Sequence, residues 1–363
     1  MATANELRVI IAGGGTGGHF FPGLAVAQAV LSAEPGARVL FVGSASGIEA
    51  RLAPQHGFPF KALPAGGFVG VPLANRIRAA LALPAALALG AALLLAFKPS
   101  AVVGVGGYAS FPLALAAGLT GIPLILLEQN VKPGLANRLL TPLAAVVAAS
   151  FPQSLRWFRG KGRLIGNPVR SALAQVPPEA GPERPFRLLV FGGSRGAKAI
   201  NRAVADALPG LGAFPGGVEI LHQTGAEDLE WVREAYAASR VRAEVRPFIH
   251  DMASAYAWCH AALCRSGATT LAELCAAGRP ALLVPFPHSA GGHQIENALG
   301  LEALGGARVI EQKDLTPDSL LAALESLADR GERARMAASL ASAARPAAAR
   351  DIASLVLRAG GRE

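Results

Sequence analysis

The sequence predicts an α/β protein of two doubly wound, parallel-sheet domains that face each other across a cleft. Short apolar runs typical of buried strands alternate with Ala- and Leu-rich runs typical of helices, which predicts βαβ units. A strand, a glycine-rich turn and a helix follow one another near residue 8 and again near residue 186. Prolines are concentrated between residues 166 and 185, which indicates a linker between the two halves.

Size and composition agree with two folded domains. The chain has 363 residues, and domains average about 150 residues. Hydrophobic residues make up 52% and charged residues 16%, which excludes a disordered chain. Its three cysteines form no Cys-x-x-Cys pair, so neither a disulfide framework nor a structural zinc site is expected, and a reducing compartment fits. The N-terminus lacks the pattern of a secretory signal.

The predicted elements fall into three segments, 1–165, 166–345 and 346–363. Strands are expected in the first segment at Arg8–Ala12, Ala37–Gly43, Ala101–Val105, Ile122–Asn130 and Ala144–Ser150. The second segment restarts the pattern at Phe186–Val204, with further strands in VEILHQTG, AEVRPFI, AALCRSG and PALLVPF. The last segment contains a helix, Asp351–Ala359, which can pack on either half, including back on the first.

The first glycine-rich turn, Gly13–Gly18, precedes His19. Glycine permits a sharp turn there and lets backbone N–H groups approach a phosphate or sugar oxygen closely. The turn lacks the lysine of an ATP-type P-loop, and no acidic residue ends the second strand as a nicotinamide dinucleotide site would require. His19 itself is either a helix-start histidine held by the backbone or a general base at the cleft floor.

Two further turns in the first half are candidate parts of the site: one would line the cleft together with the first glycine turn, and the other suits sugar contacts. Val103–Pro112 is a glycine turn after a strand and is otherwise an ordinary βα turn. Glu128, Gln129 and Asn130 lie just past another strand, where a polar trio suits recognition of sugar hydroxyls. A capped helix start is the alternative for this trio.

The second half contains candidate nucleotide contacts. Ser194, in a glycine turn, suits phosphate binding at the start of the following helix. Arg170 is a candidate for diphosphate charge or a solvated surface residue. Glu273 lies about one turn into a helix, where a carboxylate can take both ribose hydroxyls. His288 and His293 lack a third ligand nearby, which argues against a metal site.

Eight motifs between about residues 8 and 300 resemble, in order and spacing, the MurG family of inverting N-acetylglucosaminyltransferases, whose two Rossmann-like domains form the GT-B fold. The motifs are GGTGGH..PGLA, GGY.S.P, EQN..PG..N, GNPVR, GGS.GA, the DM of FIHDM, RSGA.T..E and HQ..NA. Each motif alone is weakly specific, whereas eight in order are strongly so.

The resemblance implies roles for residues at matching positions. Those implied to face the transferred sugar and the reacting centre are Thr16, Gly17, Gly18 and Asn130. The acceptor and membrane side is implied to include Gly106, Gly107, Tyr108 and Asn137. Arg170 and Ser194 are implied to lie near the nucleotide diphosphate. His19 is the first candidate for the general base, and Glu128 is the second.

The donor side is implied to lie in the second half. Ile249 would offer backbone groups to the uracil, and Gln294 would contact the N-acetylglucosamine hydroxyls. The residues implied to wrap the diphosphate and ribose are Ala268, Thr269, Thr270, Leu271, Ala272 and Glu273. Because the chain has no Asp-x-Asp pair, no obligatory metal cofactor is expected.

The resemblance implies transfer of N-acetylglucosamine from UDP-N-acetylglucosamine to the C4 hydroxyl of undecaprenyl-pyrophosphoryl-N-acetylmuramyl-pentapeptide (lipid I), which gives lipid II. It implies a peripheral position on the cytoplasmic face of the inner membrane, in contact with anionic lipid, and other cell-wall enzymes as further partners. The alternatives are another lipid glycosyltransferase of this fold, a sugar-nucleotide epimerase and, disfavoured, a nicotinamide oxidoreductase. Nucleic acid is not an expected partner, since the +9 charge includes few lysines and no aromatic–basic platform.

One uncharged stretch, Ala79–Phe97, has two interpretations other than a membrane span. A span is disfavoured because Pro84 and Gly90 interrupt the stretch. It is a core crossover helix, or it contributes to a membrane-docking patch. The residues of that patch would be Phe68, Val69, Val71, Leu73, Arg76, Arg78, Lys98 and the apolar stretch itself.

Overall fold

The structure, a computed structural model, describes residues 6–64, 73–179, 183–193 and 196–362, with the backbone alone for 73–80 and Ala290. The chain forms two compact units. The first comprises Met1–Arg170 together with Arg345–Glu363, and the second comprises Ser171–Ala344. The division therefore falls after Arg170 rather than after residue 165, and the C-terminal segment belongs to the first unit.

The first unit is a parallel sheet covered by helices. Its strands are β1 (Arg8–Ala12), β2 (Arg38–Gly43), β3 (Phe60–Ala62), β4 (Ala101–Gly104), β5 (Leu124–Glu128), β6 (Val146–Ala149) and β7 (Gly162–Leu164). Its helices are α1 (Gly17–Ala33), α2 (Ile48–Gln55), α3 (Leu73–Phe97), α4 (Phe111–Leu119), α5 (Leu135–Leu140) and α14 (Ala348–Ala359). The strand order β3-β2-β1-β4-β5-β6-β7 places a topological switch point between β1 and β4.

The second unit repeats this plan. Its strands are β8 (Phe186–Phe191), β9 (Val218–Gln223), β10 (Arg242–Arg246), β11 (Ala261–Cys264), β12 (Ala281–Leu283) and β13 (Ala307–Val309). Its helices are α6 (Lys198–Asp206), α7 (Leu208–Leu211), α8 (Leu229–Ala237), α9 (Met252–Trp258), α10 (Ala268–Ala277), α11 (His293–Ala303), α12 (Pro317–Ala328) and α13 (Arg330–Ala343). The order β10-β9-β8-β11-β12-β13 puts the switch point between β8 and β11. The predicted fold class of two doubly wound parallel sheets is confirmed.

The central strands of the first unit are buried on both faces, which explains their continuous apolar sequences. Val9 and Ile11 of β1 pack on one face in a cluster that includes Val356 of α14. Ile10 packs on the opposite face with Leu113 of α4. The C-terminal helix is thus part of the core of the first unit.

Helix α3 crosses from β3 to β4 without a break at Pro84 or Gly90, so the expectation that these residues interrupt it is wrong. Gly90 lies against α4, where an added Cβ would be 3.5 Å from the Cα of Leu113. Within the part of the chain that the structure describes, no helix is both long enough and apolar enough to span a membrane.

A buried polar cluster supports the carboxyl end of β9 in the second unit. His222 is fully buried, with Nδ1 3.0 Å from the Tyr236 hydroxyl and Nε2 3.1 Å from Asn201 Oδ1. Asn201 Nδ2 donates to the Thr224 carbonyl and to Asp228 Oδ2, so the cluster holds the loop after β9. Burial lowers the pKa of His222 to about 3, against the opposing charge of Asp228.

This cluster predicts an acid-sensitive second unit. The unfolded chain binds a proton at His222 below its ordinary pKa of 6.5, whereas the folded chain does not until about pH 3. Stability from this group is therefore complete above pH 6.5 and falls as the pH drops toward 3, by about 2 kcal/mol between pH 7 and pH 5. Urea unfolding at pH 7 and at pH 5 should show a smaller loss of unfolding free energy for His222→Gln than for the wild type. An equal loss in both proteins would contradict the lowered pKa of His222.

Candidate active site

Polar loops follow three neighbouring strands of the first unit. Strands β1, β4 and β5 lie side by side in parallel register, so their carboxyl ends meet at one edge of the sheet. The loop after β1 carries Thr16 and leads to His19 at the start of α1, the loop after β4 carries Gly106 and Gly107, and the loop after β5 begins at Gln129. The structure thus brings together residues that the sequence places on different segments, at a topological switch point where such sheets bind ligands.

The two glycine loops pack backbone against backbone. Gly13 has a φ of +135°, and an added Cβ would clash with the carbonyl oxygen of Gly106. A Cβ on Gly107 would lie 2.8 Å from the carbonyl oxygen of Gly14. Glycine is therefore required at these positions by close approach as well as by backbone conformation.

His19 lies in the first turn of α1, which begins at Gly17, and is half-buried. Its Nδ1 is 3.2 Å from Thr16 Oγ1, which orients the ring. The ring lies over the loop after β4, since a Cβ on Gly106 would be 2.9 Å from Cδ2 and 3.1 Å from Nε2. A partly exposed imidazole held by a hydroxyl has the accessibility and orientation that a general base needs.

Glu128 has different surroundings. Its side chain is 2% exposed, and burial raises the pKa of its carboxyl group, partly opposed by hydrogen bonds. Oε1 accepts from the backbone N–H and Nδ2 of Asn130, while Oε2 accepts from the Gly134 N–H and Asn137 Nδ2 at 3.0 and 2.9 Å. The carboxylate thus joins the loop after β5 to α5, and its two oxygens each already accept two hydrogen bonds there.

Three further residues of these strand ends extend this arrangement. Gln129 Nε2 donates to the Val105 carbonyl at 2.9 Å and joins the ends of β5 and β4. Asn137 is buried and also donates to the Leu127 carbonyl at 2.8 Å. Tyr108 is 38% exposed beside the glycine pair. Tyr108 is therefore the more accessible of these side chains, and Asn137 supports the loop.

Arg170 is the last residue of the chain before the second unit begins. Its guanidinium lies 5.3 Å from the ring centroid of Phe21 on α1, a cation–π contact, and its side chain is half-buried. Phe21 lies on the same helix as His19, two residues further along, so Arg170 is held against α1. Ser194 lies outside the described residues.

In the second unit, helix α10 begins directly after β11. Its N-cap, Gly267, has an extended backbone and no side chain that could cap the helix, and the N-terminus of this ten-residue helix favours negative charge. Ala268, Thr269 and Thr270 form this first turn and are half-buried. Leu271 is buried in the core, which restricts it to backbone contacts, and Ala272 is half-buried.

Glu273 lies in the second turn of α10 and is 8% exposed. The Tyr256 hydroxyl donates to its Oε2 at 3.4 Å. On the neighbouring α11, Gln294 Oε1 accepts from the Phe286 N–H at 2.9 Å, while Ser266 donates to the Gln294 carbonyl at 2.8 Å. Ser266 therefore fixes the start of α11 against the start of α10.

Ile249 is buried, and its N–H donates to Gln223 Oε1 at 2.9 Å. Gln223 Nε2 in turn donates to the Gly193 carbonyl at 2.8 Å. One buried carboxamide thus joins the Ile249 segment to the glycine loop after β8. In this structure the N–H expected to serve a uracil is bonded to Gln223.

Comparison with known proteins identifies the family. The glycosyltransferase family 28 N-terminal domain matches residues 9–149, and the family 28 C-terminal domain matches residues 187–355. A protein of Syntrophotalea carbinolica is 45% identical over 331 residues, 90% of this chain and 91% of its own length. A protein of Anaeromyxobacter sp. strain K is 43% identical over 355 residues, 97% and 92%. Both are named UDP-N-acetylglucosamine–N-acetylmuramyl-(pentapeptide) pyrophosphoryl-undecaprenol N-acetylglucosamine transferase.

The chain belongs to the MurG family, whose two domains are those of glycosyltransferase family 28. The crystal structure of Acinetobacter baumannii MurG covers 97% of this chain and 99% of its own, with a TM-score of 0.80 at 30% identity. The recognition made from eight motifs is therefore confirmed. A putative UDP-N-acetylglucosamine 2-epimerase from Listeria monocytogenes, at 15% identity and a TM-score of 0.68, shares the fold alone.

Sequence reasoning missed two residues that join loops of the second unit. Gln223 is one, because nothing in a strand-end glutamine indicates which loops it joins. Arg265 is the other: its Nη1 donates to the Val284 and Pro285 carbonyls at 3.0 and 3.2 Å, and its Nη2 donates to Gln312 Oε1. The Arg-Ser-Gly motif was the available signal for Arg265.

Proposed function

We propose that the chain transfers N-acetylglucosamine from UDP-N-acetylglucosamine to the C4 hydroxyl of lipid I, with inversion, to give lipid II. The observation that carries this proposal is membership, at 41–45% identity over most of the chain, of a family whose members are named for this transfer. The polar strand ends of both units supply groups of the right chemistry for it.

The mechanism is a single in-line displacement. His19, oriented by Thr16, takes the proton of the C4 hydroxyl as its oxygen attacks the anomeric carbon. The bond from that carbon to the β-phosphate oxygen breaks, and UDP leaves with the electron pair. Glu128 acts as a positioning residue, because its oxygens already accept four hydrogen bonds from the loop after β5 and from Asn137 of α5.

The donor-side roles follow the chemistry of α10. Its N-terminus stabilises the charge that develops on the departing diphosphate. Glu273 takes the ribose hydroxyls, and Gln294 takes hydroxyls of the sugar. Arg170 and Ser194 add charge and a hydroxyl near the diphosphate. Since these groups supply the stabilisation, we expect turnover without an obligatory metal.

The membrane-facing surface lies on the first unit. The solvent-facing stripe of α3 has no polar side chain between residues 81 and 96, whereas the outer face of a helix is ordinarily polar. The stripe consists of Leu81, Pro84, Ala85, Ala88, Leu89, Ala92, Leu95 and Ala96. Leu119 of α4 and Leu135 and Leu139 of α5 are exposed as well.

This surface fits an anionic lipid bilayer, because the acceptor carries a polyprenyl chain and the protein has a net charge of +9. The enzyme then works as a peripheral protein on the cytoplasmic face of the inner membrane, near other cell-wall enzymes. Phe68, Val69 and Val71 lie outside the described residues, and Arg76 and Arg78 lie where only the backbone is described.

Vesicle binding should depend on α3. The double variant Leu89→Gln/Leu95→Gln is expected to bind anionic vesicles about tenfold more weakly than the wild type in flotation at low salt, because two exposed leucines no longer enter the interface. The matched control is Leu299→Gln/Leu304→Gln, which alters two exposed leucines of the second unit; they are 48% and 50% exposed, against 50% and 76% for Leu89 and Leu95. Wild-type binding that is absent at low salt, or an equal loss in both variants, contradicts this docking surface.

The function is tested by UDP release from UDP-N-acetylglucosamine with and without a soluble lipid I analogue, in buffer containing EDTA. Acceptor-dependent release that is absent with UDP-glucose supports the proposal. Release without acceptor favours an epimerase, and release only with other lipid acceptors favours a different lipid glycosyltransferase.

A further inference from the structure

A carboxylate lies beneath the first glycine loop. Glu49, the second residue of α2, is fully buried. Its Oε2 accepts the Gly15 N–H at 2.7 Å, and its Oε1 accepts the Ser44 N–H at 2.9 Å. This one side chain therefore joins the loop after β1 to the loop after β2.

Three glycines provide the space for this carboxylate. A Cβ on Gly14, Gly43 or Gly47 would lie closer to Glu49 side-chain atoms than van der Waals contact allows. Gly47 has φ −76° and ψ 159°, a conformation that any residue adopts. Glycine at position 47 is therefore explained by the Glu49 carboxylate and not by the backbone.

The carboxylate occupies the place of an anionic ligand. A glycine turn between a strand and a helix ordinarily offers its N–H groups to a phosphate. Here the Gly15 N–H is directed instead to the chain's own Glu49, and the N-terminus of α2 favours the negative charge. The next residue, Thr16, bears the hydroxyl 3.2 Å from His19 Nδ1.

We propose that Glu49 is a positioning residue of the acceptor site: it fixes the Gly15 peptide, and through it Thr16 and His19, in the orientation that receives the acceptor hydroxyl. The loop then binds an uncharged hydroxyl, because the Glu49 carboxylate already occupies its inner face. This inference rests on the proposed function.

The test is steady-state kinetics of Glu49→Gln in the acceptor-dependent UDP-release assay. The amide keeps the size of the side chain but turns an N–H donor toward one of the two N–H groups, so the loop shifts. We expect kcat to fall about 10- to 100-fold, with the KM for UDP-N-acetylglucosamine changed less than about twofold. The rise in Tm caused by UDP should equal that of the wild type, because the donor unit is untouched.

The matched control is Ala53→Gly, which weakens the same helix at a fully buried position. It should lower Tm and leave kcat within about twofold of the wild type.

A second variant, Gly47→Ala, keeps Glu49 but displaces its carboxylate. It should lower kcat in the same way, and it tests the proposal if Glu49→Gln fails to fold. Wild-type kcat in a folded Glu49→Gln or in Gly47→Ala, or an equal loss in Ala53→Gly, overturns the proposal. An inactive wild type refutes the proposed function instead.

Discussion

Replacing His19 by alanine should lower kcat for acceptor-dependent UDP release about 100- to 10,000-fold, the range for loss of a positioned general base. The KM for UDP-N-acetylglucosamine should change little, because the proposed role of His19 is to take the proton of the acceptor hydroxyl and not to bind the donor. Steady-state kinetics with each substrate varied in turn measure both effects.

Two variants sharpen this test. Thr16→Val removes the hydroxyl 3.2 Å from Nδ1 and should give a smaller loss of kcat in the same direction. His56→Ala removes an exposed histidine of the same unit, at the end of α2, and should keep wild-type kcat. Retained turnover in His19→Ala excludes it as the base and returns Glu128 to that position.

Replacing Glu273 by alanine should raise the KM for UDP-N-acetylglucosamine about 10- to 100-fold. A buried carboxylate that accepts hydroxyl hydrogen bonds contributes about 1.5–3 kcal/mol to binding, and each 1.4 kcal/mol is a factor of ten. The KM for the acceptor should stay constant. The rise in Tm caused by UDP should shrink in parallel, since ligand stabilisation follows affinity.

The conservative variant distinguishes binding from structure. Glu273→Gln keeps the shape of the side chain and should fall between alanine and the wild type in donor KM. Tyr256→Phe removes the hydroxyl 3.4 Å from Oε2 while the carboxylate remains, and it should have the smaller effect of the two. Unchanged donor KM and an unchanged UDP shift in Glu273→Ala remove Glu273 from the nucleotide site.

Much of the fold was predictable because buried parallel strands are continuous apolar runs. The strands predicted in the first half appear as β1, β2, β4, β5 and β6, with ends within two residues. The edge strands β3, β7 and β13 have three residues each, too few to show a period, and no prediction included them. Pro84 was taken as an interruption, yet packing of α3 on α4 outweighs its local preference.

The candidate site was predictable where a motif marks a strand end. The Gly13–His19 and Glu128–Asn130 motifs follow β1 and β5, and parallel order brings those ends together. What the sequence does not reveal is which groups lie beneath them. Glu49 looks like an ordinary helix residue, and its relation to Gly14 appears only when the loops after β1 and β2 meet.

The product formed from UDP-N-acetylglucosamine and a lipid I analogue is the most direct test of the central claim, that this chain is an inverting transferase acting on the C4 hydroxyl. The account predicts a new disaccharide with a β bond from the N-acetylglucosamine C1 to the muramyl O4, visible in the NMR spectrum of the purified product and formed in step with UDP. An α-linked product, a bond to another hydroxyl, or UDP release without a disaccharide would contradict it.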